Sequence, residues 1–142
     1  MLYLPLNSLR TGSEHAMAIR ILLADDAAVM RRMIRELIEA QPELKVVGEA
    51  GDFSQTMRMA SDLRPDVVVM DLHMPSGIRT APADIKAHME VCGSKLLAIS
   101  IWNDPDSTAL AEDFGAVRLL QKMELGEVLV PAILQLVLPG TA

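Results

Sequence analysis

Hydrophobic positions along the chain follow two alternating rhythms from Ala18 onward. "IRILLA" (Ile19 to Ala24) is an apolar run of strand length. In the "DDAAVMRRMIRELIEA" that follows, Val29, Met30, Met33, Ile34, Leu37 and Ile38 recur at helical spacing. Asp26 is placed to cap that helix, and Pro42 to stop it. "KVVGEA" (Lys45 to Ala50) predicts a second strand, "SQTMRMASDLRP" a second helix ended before Pro65, and "DVVVMD" a third strand finishing at Asp71. After the loop "HMPSGIRTAP", "PADIKAHMEV" predicts a short helix with Pro82 in its first turn. "KLLAIS" (Lys95 to Ser100) is a fourth strand. "DPDSTALAEDFGA" then reads as a helix capped by Asp104, opened by Pro105 and closed by Gly115. "AVRLLQ" is a fifth strand, and Glu127 to Leu138 a last helix that tolerates Pro131 because it falls early.

Strands alternating with helices, without repeats, predict an α/β fold with a parallel sheet covered on both faces. Right-handed crossovers and this chain length favour a flavodoxin-like (βα)5 three-layer sandwich with strand order 2-1-3-4-5. The 142 residues suffice for one domain and one sizeable core. We place that domain at residues 18–139, preceded by an extension over 1–17 in which Met17 is a second candidate start, and followed by a tail over 140–142. Only "PGTA" follows Leu138, so no output domain is expected.

Composition narrows the function classes. A formal charge of −6 and an isoelectric point near 5.0 argue against a nucleic-acid-binding surface. The densest basic group, Arg31, Arg32 and Arg35, is interspersed with Glu36 and Glu39, which predicts a solvated helix face. One cysteine, Cys92, excludes an internal disulfide and reads as a small buried residue or a surface bystander, in keeping with a reducing cytoplasm. No segment reaches the ~20 apolar residues of a membrane span. The most apolar run, "VLVPAILQLVL", is short and interrupted by Pro131 and Gln135. The first residues lack the pattern of a signal peptide.

Sites in open α/β sheets form at the carboxyl ends of the strands, where the winding reverses. Strand one ends in Asp25 and Asp26, strand three in Asp71 and strand four in Ser100; strand five runs into Lys122, and the edge strand two offers only Glu49. Singly, each has an ordinary use as a cap, a turn residue or a surface lysine. Gathered on one rim they point to chemistry. Each like-charged carboxylate pair at ~4 Å costs about 4 kcal/mol at an effective dielectric near 20, so the acids must take up protons or pair with cations. Lys122 supplies one charge, and Mg²⁺ suits the all-oxygen donors. Zinc does not, since His73 stands alone. With a cation bound, a carboxylate can attack phosphorus while Lys122 neutralises the transferring group and the Ser100 hydroxyl donates to it.

These residues resemble the receiver domain of two-component response regulators, over Ile19 to about Leu138. The resemblance rests on the acid pair Asp25-Asp26, the "MDLHMP" motif, Ser100 ending "LLAIS", and Lys122. "LLADDAAVMRRMIRELIEAQPELKVVGEAGD" is similar to receivers that precede LuxR-type domains. The resemblance implies that Asp71 is the phospho-acceptor, that Asp25, Asp26 and Asp71 hold Mg²⁺ with the backbone carbonyl of His73, and that the donor is a histidine kinase or histidine phosphotransfer protein. It implies signalling by docking to a downstream protein, with a dimer as one outcome, through the face of the fourth helix, fifth strand and fifth helix. The chain catalyses only its own phosphorylation and dephosphorylation on this reading. It also places His73 and Trp102 at the mouth of the site, where their bulk would slow hydrolysis.

The chain departs from the family pattern in three places. Leu119 stands where an aromatic switch residue is usual, Met123 where many members have proline after the lysine, and "MPSGIRTAPAD" lacks the usual short turn. A degenerate receiver, a binding module independent of phosphorylation, is therefore the competing reading. A phosphohydrolase of the haloacid-dehalogenase type is more distant, because it needs an Asp-x-Asp motif after the first strand.

Overall fold

The computed structural model describes residues 18–75 and 80–138. The strands are β1 (Ile19–Ala24), β2 (Leu44–Ala50), β3 (Val67–Asp71), β4 (Lys95–Ser100) and β5 (Arg118–Gln121). They alternate with α1 (Ala28–Glu39), α2 (Phe53–Leu63), α3 (Pro82–Cys92), α4 (Pro105–Asp113) and α5 (Leu125–Val137), a 3₁₀ turn over Lys122–Glu124 leading into the last helix. All strand pairs are parallel, in the order β2-β1-β3-β4-β5. The expected three-layer (βα)5 architecture is present.

The continuous apolar character of the strands has a direct cause. Successive side chains point to opposite faces, and both faces are covered. Ile21, Leu23, Val67, Val69, Leu97 and Ile99 pack with Ile34 and Ile38 of α1 and with Leu125, Leu129 and Ile133 of α5. Their neighbours Leu22, Val68, Met70, Leu96 and Ala98 pack on the other face with Phe53, Ile85, Met89 and Phe114. Each of the larger of these side chains, fully buried, contributes about 1.5–3 kcal/mol. Cys92 belongs to this second layer and is buried.

Register then builds the rim. Ala24 lies beside Met70, Asp71 beside Ile99, and Ser100 beside Gln121. The residues at and just past these strand ends therefore emerge at one level.

Three local expectations need correction. Asp26 does not cap α1: the cap position is Ala27, without a side-chain hydrogen bond, and Asp25 Oδ1 accepts from the Ala27 amide at 2.8 Å instead. Taking up that amide in the turn leaves Asp26 pointing outward. Pro131 lies inside α5, because the helix starts at Leu125 rather than Glu127; its missing donor faces the carbonyl of exposed Glu127, which water can satisfy. Arg31 is not part of a solvated face, since it turns inward onto β2, as described below. Asp52 and Asp104 are true caps, accepting from Gln55 and Ser107 amides. Among the described residues no helix is long and apolar enough to cross a membrane. The proposed extension over 1–17, the tail over 140–142 and the loop residues 76–79 lie outside the described residues.

Candidate functional site

At the carboxyl end of β1 and β3, oxygens of Asp25, Asp26 and Asp71 all lie within 4.8 Å of one another. Asp25 and Asp71 are buried and Asp26 is exposed. Lys122 enters from the turn after β5 and bridges the two buried acids, its Nζ 2.8 Å from Asp25 Oδ2 and 3.0 Å from Asp71 Oδ2. Burial disfavours the ammonium charge, but the Asp25 and Asp71 carboxylates outweigh it and hold the lysine above its ordinary value. Asp71 Oδ1 accepts from the His73 amide at 3.0 Å, in the turn that follows the strand.

This donor set suits a hard divalent cation. Asp25 Oδ2 is fully buried and, although ion-paired with Lys122, lacks a directed hydrogen bond. Asp26 has no hydrogen-bond or ion-pair partner among the described residues. Three carboxylates against one ammonium leave net negative charge on oxygen ligands alone, the chemistry Mg²⁺ prefers.

Ser100 ends β4 and is wholly buried, its Oγ accepting from the Trp102 amide at 2.9 Å. The Trp102 carbonyl in turn accepts from Gln121 Nε2 at 3.1 Å, tying the β4–α4 loop to the end of β5. Trp102 itself is 53% exposed. It lines a cleft of about 350 Å³ with His73, Asp104, Asp106, Ser107 and Leu110, beside the acid cluster. Leu119 is half-buried and packs into the layer of α2, α3 and α4. Asp25, Asp26, Asp71 and Lys122 are therefore brought together, while Ser100 is buried at the end of β4, His73 and Trp102 line the cleft, and Leu119 lies within the packing of β5.

A further group was hidden in the charge pattern of α1. Arg31 Nη1 donates to the Asp25 backbone carbonyl at 2.6 Å, and its Nε meets Glu49 Oε1 at 3.0 Å. Arg35 Nη1 meets Glu49 Oε2 at 2.6 Å. The signal available in the sequence was Glu49 ending the strand next to β1. Nothing there said which arginine it would take.

Comparison with known proteins agrees with this geometry. The family model described as "Response regulator receiver domain" matches residues 21–134. The transcriptional regulatory protein LiaR of Bacillus subtilis is 36% identical over 104 residues, covering 73% of this chain and 49% of that protein. A protein-glutamate methylesterase/protein-glutamine glutaminase of Thermotoga maritima is 33% identical over 108 residues, covering 73% of this chain and 30% of that protein. The chain thus spans half or less of the length of these relatives. Among solved structures, the response regulator domain of Thermotoga maritima CheB superposes with a TM-score of 0.72 at 29% identity, covering 83% of this chain and 95% of that one. A LuxR-family two-component response regulator from Aurantimonas gives 0.72 at 30% identity, covering 82% of each. With its strand order, its acid cluster and the span of the family match in agreement, this chain belongs to the response regulator receiver domains.

Proposed function

We propose that Asp71 accepts a phosphoryl group from a phosphohistidine of a histidine kinase or histidine phosphotransfer protein, in a Mg²⁺-dependent reaction, and that the phosphorylated protein signals by altered docking to another protein. The observation that carries this reading is Lys122 bridging Asp25 and Asp71 with the unpartnered Asp26 beside them. Asp25, Asp26 and Asp71, with the His73 carbonyl, would hold the ion. A bound Mg²⁺ supplies neutralisation of the phosphoryl oxygens.

The chain's own residues carry the rest. The Asp71 carboxylate attacks phosphorus and forms an O–P bond as the P–N bond breaks. The departing imidazole keeps the electron pair and takes a proton from solvent. Lys122 is near enough to Asp71 to follow the developing charge onto the phosphoryl group. The Ser100 hydroxyl oxygen accepts from the Trp102 amide, which leaves its O–H to donate to a phosphoryl oxygen. That donation, felt through the β4–α4 loop and Gln121, is the route by which the face of α4, β5 and α5 would register phosphorylation. Leu119 lacks the aromatic ring usual at its place, so the loop rather than a ring flip carries the change. We place the reaction in the cytoplasm, with no turnover beyond the protein's own acyl phosphate.

Trp102 fluorescence tests this, followed during addition of Mg²⁺ and then beryllofluoride to wild type and Asp71→Asn. The expected result is a Mg²⁺-dependent response to the mimic, lost in the variant, together with a phosphorylated species by mass spectrometry after treatment with acetyl phosphate. Absence of both would make the protein a phosphorylation-independent binding module.

A further inference from the structure

Asp25 is held at every polar atom. Its amide donates to the Ala50 carbonyl at 3.0 Å, its Oδ1 takes the Ala27 amide, its Oδ2 meets Lys122, and its carbonyl takes Arg31. The last contact bears on the next residue. The Asp25 carbonyl belongs to the peptide plane that joins Asp25 to Asp26, so fixing the oxygen fixes the direction in which Asp26 leaves the strand. Among the described residues no side chain hydrogen-bonds or ion-pairs with Asp26, and the Asp25 Oδ1–Ala27 turn is its one other restraint. Arg31 reaches this carbonyl from α1 by lying across the top of β2, with Nη1 3.8 Å from where a side chain on Gly51 would begin. Glu49 holds the other edge of its guanidinium, and Arg35 holds the far oxygen of Glu49.

We propose that Arg31 is a positioning residue for the metal-binding acid pair: it clamps the Asp25–Asp26 peptide, with Glu49 as its anchor, so that Asp26 is presented to the ion before the ion arrives. This inference rests on the Mg²⁺ site of the proposed function. A guanidinium suits the task because its planar fork serves two acceptors at once, whereas an ammonium is a single point of charge.

The sign of the effect separates positioning from simple electrostatics. Arg31 and Arg35 are both cations near a cation site, so deleting either charge lowers repulsion and, on charge alone, tightens Mg²⁺ binding. Loss of positioning does the reverse, and only for Arg31, because only Arg31 touches Asp25. Outer residues that orient metal ligands typically change affinity by about tenfold or more.

The experiment is Mg²⁺ titration of Trp102 fluorescence in wild type, Arg31→Met, Arg31→Lys and Arg35→Met. Amide hydrogen exchange at Ala27 is followed in the same proteins without metal. Expected are Mg²⁺ binding weakened about tenfold in Arg31→Met, a partial recovery in Arg31→Lys, and unchanged or tighter binding in Arg35→Met. The Ala27 amide should exchange faster in Arg31→Met alone, because the turn it closes has lost its clamp. Equal weakening in Arg31→Met and Arg35→Met, or wild-type affinity in Arg31→Met, overturns the assignment while leaving the metal site standing. A wild type that shows no Mg²⁺ binding by fluorescence or by calorimetry overturns both.

Discussion

Lys122 Nζ lies 3.0 Å from Asp71 Oδ2, although Asp71 ends β3 and Lys122 follows β5, two strands that do not touch: β4 runs between them. A 3₁₀ turn begins at Lys122, and the long lysine side chain closes the gap. Only 12% of the Lys122 side chain is exposed, and its two partners are more deeply buried. The pairing compensates charges that could not otherwise sit together in so dry a place.

Replacing Lys122 with Met should therefore destabilise the metal-free protein by about 3 kcal/mol or more, since two buried carboxylates lose their cation. Mg²⁺ should restore much of the loss by binding the folded state alone. Urea denaturation with and without Mg²⁺ measures both.

Asp26 should behave in the opposite way. It is exposed and unpaired among the described residues but lies within 4.8 Å of Asp25 and Asp71, so Asp26→Asn should leave the metal-free protein as stable as wild type or more stable, by relief of repulsion. Mg²⁺ affinity should nevertheless fall by at least about tenfold, as expected when even an outer partner of a ligand matters that much. Paired denaturation and Mg²⁺ titration separate the two effects; a large stability loss would contradict the outward placement of this carboxylate.

Glu49 links stability to pH. Burial pushes its carboxyl up, but hydrogen bonds from Arg35 and Arg31 outweigh that and hold it below its ordinary value of 4.5. A carboxyl depressed on folding stabilises the protein above its unfolded pKa and loses that contribution as pH falls through the folded one. Glu49→Gln should thus be less stable than wild type at neutral pH, by about 1 kcal/mol or less for so accessible a network. The difference should vanish once the pH drops well below 4.5. Urea midpoints across the acid range check it, and a gap that widens on acidification would refute the linkage.

His73 and Trp102 both face the cleft beside Asp71. We expect their side chains to screen an acyl phosphate on Asp71 from attacking water. His73→Ala combined with Trp102→Ala should shorten the lifetime of the phosphorylated form, by several-fold at the ~1.4 kcal/mol per decade of a rate. Mass spectrometry of the decaying species gives the rate, and an unchanged lifetime would assign both side chains to the surface only.

The fold was legible because its causes are local. Val67 to Met70 are apolar in an unbroken row, and only a strand buried on both faces needs that. Asp104, Pro105 and Gly115 marked the ends of α4 through backbone demands that each residue meets by itself. Strand order followed from right-handed crossovers and the length of the chain. Within the rim, the acids and Lys122 were recognisable because each sits at the end of a readable strand.

What the tertiary structure decided is which neighbour each polar group takes. Asp25 and Asp26 are adjacent and chemically identical, yet one is buried against Lys122 and the other exposed; the turn that spends Asp25 Oδ1 on Ala27 makes the difference. Arg31 and Arg35 share one side of α1 by their i, i+4 spacing, but only the packing of α1 against β2 sends Arg31 to both Glu49 and the Asp25 carbonyl. Ser100 could have served any turn, and the path of the β4–α4 loop gave its oxygen to Trp102. Periodicity reports which face of an element is dry, because burial acts on every residue of that face alike. A hydrogen bond between two elements depends on ångström-scale packing of residues far apart in the chain, which no local pattern encodes.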